Sequence, residues 1–399
     1  MDWQLRPLLL ACLGFACTPD AFDYGEGAAG ASSCHEDGCK DPCPPGTKEG
    51  PSGSCEPACG AWQASLSIPS PGALVAAAAR VYAVGTSDDD DGRPAQGLVQ
   101  PVDACGGTLA DAILPLSDKG SSLGAAAANG DVLVLAGANE GQMSLAELEL
   151  GTGTAKATHA LGSLPPDSVV NDVSASGAGA WAVGSSKTSG AWFARLSSGA
   201  ACSALASGAT SATAVAALSD GALLVLELGG KLRVARVGAG GCGAPSFTSP
   251  ELALPGADSA SARDLLVIDS SAYLVGHARA GAGEPFGFVA RLDVSSGAVE
   301  KLARWDPGPG AEALHAVVAV GSRLYAGGVS GAALPDDEAS GNAGVVAWAL
   351  PLENDAAPIW TEQLKARRVR GLAENGSSLF ALASTSTGVS TLVSFALAD

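Results

Sequence analysis

Beyond about residue 60 the chain alternates short apolar runs with small or polar breaks, and the runs recur in a fixed order. A first apolar run meets a tight turn, and a second run follows that tends to end in aromatic-x-x-Gly, as in Ala272-Tyr273-Leu274-Val275-Gly276. Copies stand at 81–85, 133–137, 180–184, 224–228, 272–276, 324–328 and 379–383, with 224–228 the most degenerate. Their closing residues fall 44 to 55 apart, which predicts one four-stranded unit per repeat and seven repeats in all. Third strands are expected at 191–196, 232–237, 286–293 and 345–350. Asn129-Gly130, Asp220-Gly221 and Asn375-Gly376 sit between first and second strands, where they predict type I′ hairpins.

The first runs are rich in small residues, at 76–79, 124–128 and 214–217. Alanine favours helix in isolation. Here the runs occupy the strand slot nearest the centre of a ring, where bulky side chains would collide. The pattern therefore predicts an all-β chain, a seven-bladed β-propeller over residues 60–399. The seventh repeat ends with its third strand, at 392–397. An open ring would expose a sheet edge. The missing outer strand is expected from residues 60–68, since Trp62-x-x-x-Leu66 parallels Trp360-x-x-x-Leu364 in the sixth repeat and Trp305 holds the same slot in the fifth.

Residues 264–293 carry the repeat most fully, with Asp264-Leu265-Leu266-Val267-Ile268-Asp269, Tyr273-Leu274-Val275-Gly276 and Phe288-Val289-Ala290-Arg291-Leu292-Asp293. This resembles the bacterial seven-bladed propellers built from SBBP-like repeats. The resemblance extends over residues 60–399 and implies a fold. Propellers host many functions, so it implies none in particular.

The N-terminus reads as a targeting segment. Arg6 precedes an apolar run at 8–16, too short to span a bilayer, and Cys17 follows Ala16 directly. Residues 1–17 resemble the signal of an exported bacterial lipoprotein, with residues 1–16 as signal peptide and a lipid on Cys17. Gly14 stands where that signal usually has Leu, and secretion with cleavage after Ala16 is the alternative. Residues 17–33 lack periodicity and read as a flexible tether. Residues 34–59 hold Cys34, Cys39, Cys43, Cys55 and Cys59 with little apolar sequence, and read as a small module that needs staples. The repeat register places Cys59 with Cys105, and Cys202 with Cys242, at equivalent positions across neighbouring blades. Two bridges follow, Cys59–Cys105 and Cys202–Cys242, leaving Cys34, Cys39, Cys43 and Cys55 to pair in any of three ways. Buried free thiols, or a zinc site with His35, are the competing readings.

Charge narrows the functions. The net charge of −19 disfavours nucleic acid and direct binding to anionic lipid. Four histidines leave little for general-base or metal chemistry, and His159, His277 and His315 look like scattered surface or turn residues. The run Asp88, Asp89, Asp90, Asp91 is a weak calcium candidate whose spacing is not that of an EF-hand, and a solvated loop is its plainer reading. Asp336, Asp337 and Glu338 in the sixth repeat, and Lys365, Arg367, Arg368 and Arg370 entering the seventh, are candidates for a partner-binding face. Surface ion pairing is the simpler role for that basic cluster. Asp172 and Asp264 are the acidic exceptions in the innermost strands, a minimal pair for a propeller glycoside hydrolase if they face each other within about 10 Å. There is no Gly-x-Ser-x-Gly with a plausible triad, no phosphate loop and no zinc-protease motif. The expectation is a monomeric, non-enzymatic envelope lipoprotein without a cofactor, offering the face opposite its anchor to a protein or glycan. An adhesion or scaffold component is the alternative.

Overall fold

The computed structural model describes residues 47–49, 55–57 and 61–396, apart from 78–79, 88–93, 106, 108, 114–115, 117–119, 151, 336–339, 376–377 and 386–388. The chain divides into two compact units, residues 1–59 and 60–399. In the first, β1 (Thr47–Glu49) pairs antiparallel with β2 (Cys55–Pro57). The cysteine pairing expected for this unit lies outside the described residues, as does Cys17. No helix occurs among the described residues.

The second unit is a seven-bladed β-propeller. Strand β3 (Trp62–Ser65) precedes blade one, which comprises β4 (Ser70–Ala77), β5 (Arg80–Thr86) and β6 (Gly97–Asp103). Blade two is β7 (Ser121–Asn129), β8 (Val132–Asn139), β9 (Gln142–Glu149) and β10 (Thr154–Ala160). Blade three is β11 (Ser168–Ser176), β12 (Gly179–Ser186), β13 (Gly190–Ser197) and β14 (Ala200–Leu205). Blade four is β15 (Ser211–Leu218), β16 (Gly221–Leu228), β17 (Lys231–Gly238) and the two-residue β18 (Phe247–Thr248). Blade five is β19 (Ser259–Ile268), β20 (Ser271–Arg279), β21 (Phe286–Asp293) and β22 (Val299–Trp305). Blade six is β23 (Ala311–Val320), β24 (Arg323–Ala332), β25 (Asn342–Ala349) and β26 (Trp360–Gln363). Blade seven is β27 (Arg368–Glu374), β28 (Ser378–Ser384) and β29 (Ser390–Ala396), with β3 as its outer strand.

The ring therefore closes by pairing the start of the unit with its end. Trp62 faces Ser394, Ser65 faces Thr391, and Leu66 N–H donates to the Ser390 carbonyl at 2.8 Å. Trp62 fastens the seam twice. Its Nε1 donates to the Ala104 carbonyl of blade one at 3.0 Å, and its ring lies 6.0 Å from that of Phe380 in blade seven.

Each first strand touches the first strands of the blades on either side, β4 to β7 and so on around to β27 and back to β4. These strands are the inner wall, as the alanine runs predict. Seven large apolar clusters lie at the seven blade boundaries. Blades five and six share Tyr273, Val275, Leu324 and Trp348, for example, and blades seven and one share Ile68, Val81, Phe380 and Leu392. Successive residues of a middle strand serve opposite clusters, so Leu274 packs toward blade four and Val275 toward blade six. Both faces are buried, and the strands consequently read as continuous apolar runs. Each fully buried Leu, Val or Phe contributes about 1.5–3 kcal/mol.

Every inner strand carries a one-residue bulge at the same register. The extra residues are Gly72, Gly124, Asn171, Thr213, Arg263, His315 and Arg370. The bulge explains the closing glycine of the repeat. A Cβ on Gly85, Gly137, Gly184, Gly276 or Gly328 would overlap the carbonyl oxygen of Ser70, Ser122, Val169, Ser261 or Ala313 respectively, on the adjoining inner strand.

The structure departs from the sequence reading at four places. Blade one has three strands, with isolated bridges Val99–Ile113 and Val102–Leu109 in place of an outer strand. In blade four the residue level with the closing glycine is Leu226 rather than Leu228, because Ala212 faces Leu226 just ahead of the bulge. The first hairpin of blade two turns through Gly130 and Asp131, since Asn129 still pairs with Val132, and Gly130 has φ 59°. In blade four Leu218 pairs with Gly221, so Ser219 and Asp220 form the turn and neither has positive φ. These two turns are not type I′, and Asn375-Gly376 lies partly outside the described residues.

Cys202 and Cys242 form a disulfide, with Cα atoms 5.8 Å apart, joining β14 of blade three to the connection after β17 of blade four. Cys105, in the turn after β6, is also disulfide-bonded, and its expected partner Cys59 lies outside the described residues.

Two outcomes test this account. Gly276→Ala is expected to lower stability by about 1–3 kcal/mol through overpacking, while Gly240→Ala, with nothing within 4 Å of the added Cβ, changes it by less than about 0.5 kcal/mol. Replacing Cys202 and Cys242 together by Ala, which opens a bridge with sequence separation 40, is expected to cost roughly 2–4 kcal/mol. Denaturant unfolding of the oxidised protein measures both.

Candidate functional site at the axial end of the inner strands

The bulges lie near the beginning of the inner strands, on the face that also carries the connections between second and third strands. A bulge re-aims side chains and interrupts the ladder, so these seven positions determine the chemistry around the axis. They differ sharply around the ring. Blades one and two supply glycine, blades three and four supply Asn171 and Thr213, and blades five, six and seven supply Arg263, His315 and Arg370.

The residue after the bulge is small in five blades (Ala73, Ala125, Ala214, Ala316 and Gly371) and is Asp172 or Asp264 in the other two. Each aspartate joins its own blade to the next. Asp172 accepts the N–H of Val173 at 2.7 Å on one oxygen and that of Val215 in blade four at 2.8 Å on the other. Asp264 accepts Leu265 N–H at 2.7 Å and Val317 N–H in blade six at 2.8 Å. Asn171 Nδ2 adds a bond to the Ala212 carbonyl at 2.8 Å, and Ser174 Oγ accepts Ala217 N–H at 3.0 Å. Burial raises the Asp264 carboxyl to about 6 against the pull of these N–H groups. Burial, and then the charge of Asp264, raise Asp172 well above the ordinary range. The two acids are thus close enough to repel, and their four oxygens are all engaged by backbone.

The basic groups converge in the same part of the ring. Arg368 Nη2 of blade seven lies 3.3 Å from Nδ1 of His315 in blade six. His315 is 8% exposed. Burial depresses its pKa well below the ordinary value, and the charges of Arg368, Arg263, His277 and Arg370 depress it further. The His315 ring is therefore neutral at physiological pH. This corrects the sequence reading, which placed His315 at a surface or turn. His159 does lie on an outer strand, with Nε2 3.3 Å from Glu147. His277 is on β20, one of the groups acting on His315.

The basic run before blade seven divides. Lys365 is exposed, and Arg367 Nη1 donates to the Gly341 carbonyl at 3.3 Å. Arg368 and Arg370 belong to β27 and face the His315 cluster rather than forming a patch with Lys365. Asp88, Asp89, Asp90, Asp91, Asp336, Asp337 and Glu338 lie outside the described residues. Among the described residues no group of three or more His, Cys, Asp or Glu could hold a metal ion. Sequence reasoning missed Arg263 altogether. Aligning Ala262-Arg263-Asp264 with Leu314-His315-Ala316 and Val369-Arg370-Gly371 would have found all three bulge positions.

No protein-family model matches the chain, and no curated protein matches it either. Solved structures do. The WD40 β-propeller domain of Doa1 is 12% identical with TM-score 0.55, over 84% of this chain and 97% of that one. Hydrazine synthase of Kuenenia stuttgartiensis is 12% identical with TM-score 0.58, over 82% and 96%. The structure of U3-55K is 12% identical with TM-score 0.56, over 83% and 98%. Likeness at this level of identity shows the propeller fold.

The raised carboxyls give a pH test with a defined sign. Asp264, ordinarily near 3.8, sits near 6 in the folded chain. Its protonation therefore favours the fold fully below its unfolded value, and that contribution is lost as pH rises through 6. Relative to Asp264→Asn, the wild-type protein is expected to gain stability as pH falls from 7 to 4, by up to about 1.4 kcal/mol per pH unit inside that window. Urea unfolding of both proteins across this range measures the difference. A constant gap would show that Asp264 is not raised.

Proposed function

We propose that this chain is a non-enzymatic cell-envelope lipoprotein whose propeller binds a protein or glycan partner on the face where the inner strands begin. The observation that carries the reading is the division of labour at the axis. Asp172 and Asp264 accept backbone N–H groups across blade boundaries, and the charges of Arg263, Arg368 and Arg370 converge on the His315 ring. A propeller also suits recognition, since its rigid strands hold loops from several blades in one surface. Lipid on Cys17 would tether the unit to a membrane through residues 17–33 and leave that face toward the partner.

A second reading, a glycoside hydrolase, draws on the mutual repulsion of Asp172 and Asp264. Such an enzyme needs one carboxyl free to protonate the leaving group and another free to attack or to activate water. Backbone donors on every oxygen of both groups weigh against it.

Three measurements separate these readings. An alkyne-tagged fatty acid fed to expressing cells is expected to label the wild-type protein and not Cys17→Ser; equal labelling would refute the anchor. Cross-linking on intact cells is expected to capture a discrete partner that Arg370→Glu loses while still folded. Capture unaffected by that variant would favour a spacer or adhesion role. Hydrolysis of aryl glycosides abolished by Asp172→Asn would establish the enzyme instead.

A further inference from the structure

His315 presents a buried hydrogen-bond donor that has no acceptor. A guanidinium only donates, so the Arg368 contact at 3.3 Å makes Nδ1 of His315 the acceptor. The ring is neutral, and its single proton then resides on Nε2. That atom is buried and has no partner, in a residue 8% exposed. An unsatisfied buried N–H costs about 1–3 kcal/mol, and sites that keep one in a ligand-facing position recover that cost when an acceptor arrives. Three cations act on this ring: Arg263 at the bulge of blade five, Arg370 at the bulge of blade seven, and Arg368 two residues earlier. Asp172 and Asp264, two acids of the inner strands, accept two backbone N–H groups each. Elsewhere around the ring, blades one and two place Gly72 and Gly124 at the same height, without side chains.

We propose that the axial end of blades five to seven is an oxyanion site, in which a carboxylate or phosphate group of the partner accepts from His315 Nε2 and is flanked by Arg263, Arg368 and Arg370. The inference rests on the binding reading above and names the chemistry that this face recognises. A negatively charged oxygen fits because it supplies the missing acceptor and meets the local positive charge. Charge-assisted bonds to guanidinium groups are stronger than neutral ones. A polyanion such as nucleic acid does not fit, because the chain as a whole carries a net charge of −19.

Calorimetric titration of the full chain tests this, with inorganic phosphate and glucuronate as probes and glucose as the neutral control. At least one oxyanion is expected to bind at one site per chain, and glucose is not. Phosphate alone would identify a phosphate group, and glucuronate alone a carboxylate. His315→Leu is expected to weaken binding about tenfold. His315→Gln, which keeps an N–H near the position of Nε2, retains most of it. Arg370→Ala weakens binding about tenfold and carries the test if His315→Leu does not fold. Neither anion binding at millimolar concentration, or binding unchanged in these variants, would overturn the proposal. If the partner cross-linked on cells still depends on this face while neither anion binds, only the oxyanion inference falls. If no partner is captured, the binding reading beneath it falls as well.

Discussion

Seven strands brought side by side around one axis cannot all present side chains inward at the same height, and the recurrent bulge of the inner strand is how this chain meets that crowding. The extra residue bends the strand and presses the carbonyl two residues before it onto the second strand. There is then no space for a Cβ at the facing position. The glycine that closes the second strand is the imprint of that contact in five blades, and the small residues after the bulge are its imprint on the inner wall. What the bulge releases is one position per blade that is relieved of the regular ladder. Sequence can vary there without disturbing the blade, and it ranges from Gly72 to Arg370.

The rest of the stability comes from contacts between blades. Each boundary holds its own apolar cluster, and on the inner wall Asp172 and Asp264 add polar bonds to the next blade's backbone. Those acids accept a desolvation cost, visible in their raised pKa, in return for directional bonds between neighbouring blades. The seam between blades seven and one is treated as any other boundary. Trp62 crosses it with a ring contact on one side and a hydrogen bond on the other.

The ring was legible in the sequence because its signals are local and repeated: second strands buried on both faces, Trp62 echoing Trp360, and cysteines at matching blade positions. The candidate site was legible only in part. Asp172 and Asp264 stood out as acids within apolar runs, and Arg368 and Arg370 as part of a basic cluster. Their destinations did not follow, because a single inserted residue reverses the side-chain alternation beyond it. Counting by twos along β23 therefore misplaces His315, and along β19 it hides Arg263. Turn chemistry failed for a related reason. Asn129 and Gly221 are paired strand residues, so the register carries the turn one place away from the dipeptide that signals it.

The claim on which the account turns is that blades five to seven hold His315 as a neutral ring with its proton on Nε2. Nitrogen-15 NMR of histidine-labelled protein measures this directly. The account predicts that at pH 6 the His315 signals are those of the neutral Nε2–H tautomer, unchanged on lowering the pH by one unit. An imidazolium at pH 6, or a proton on Nδ1, would contradict it.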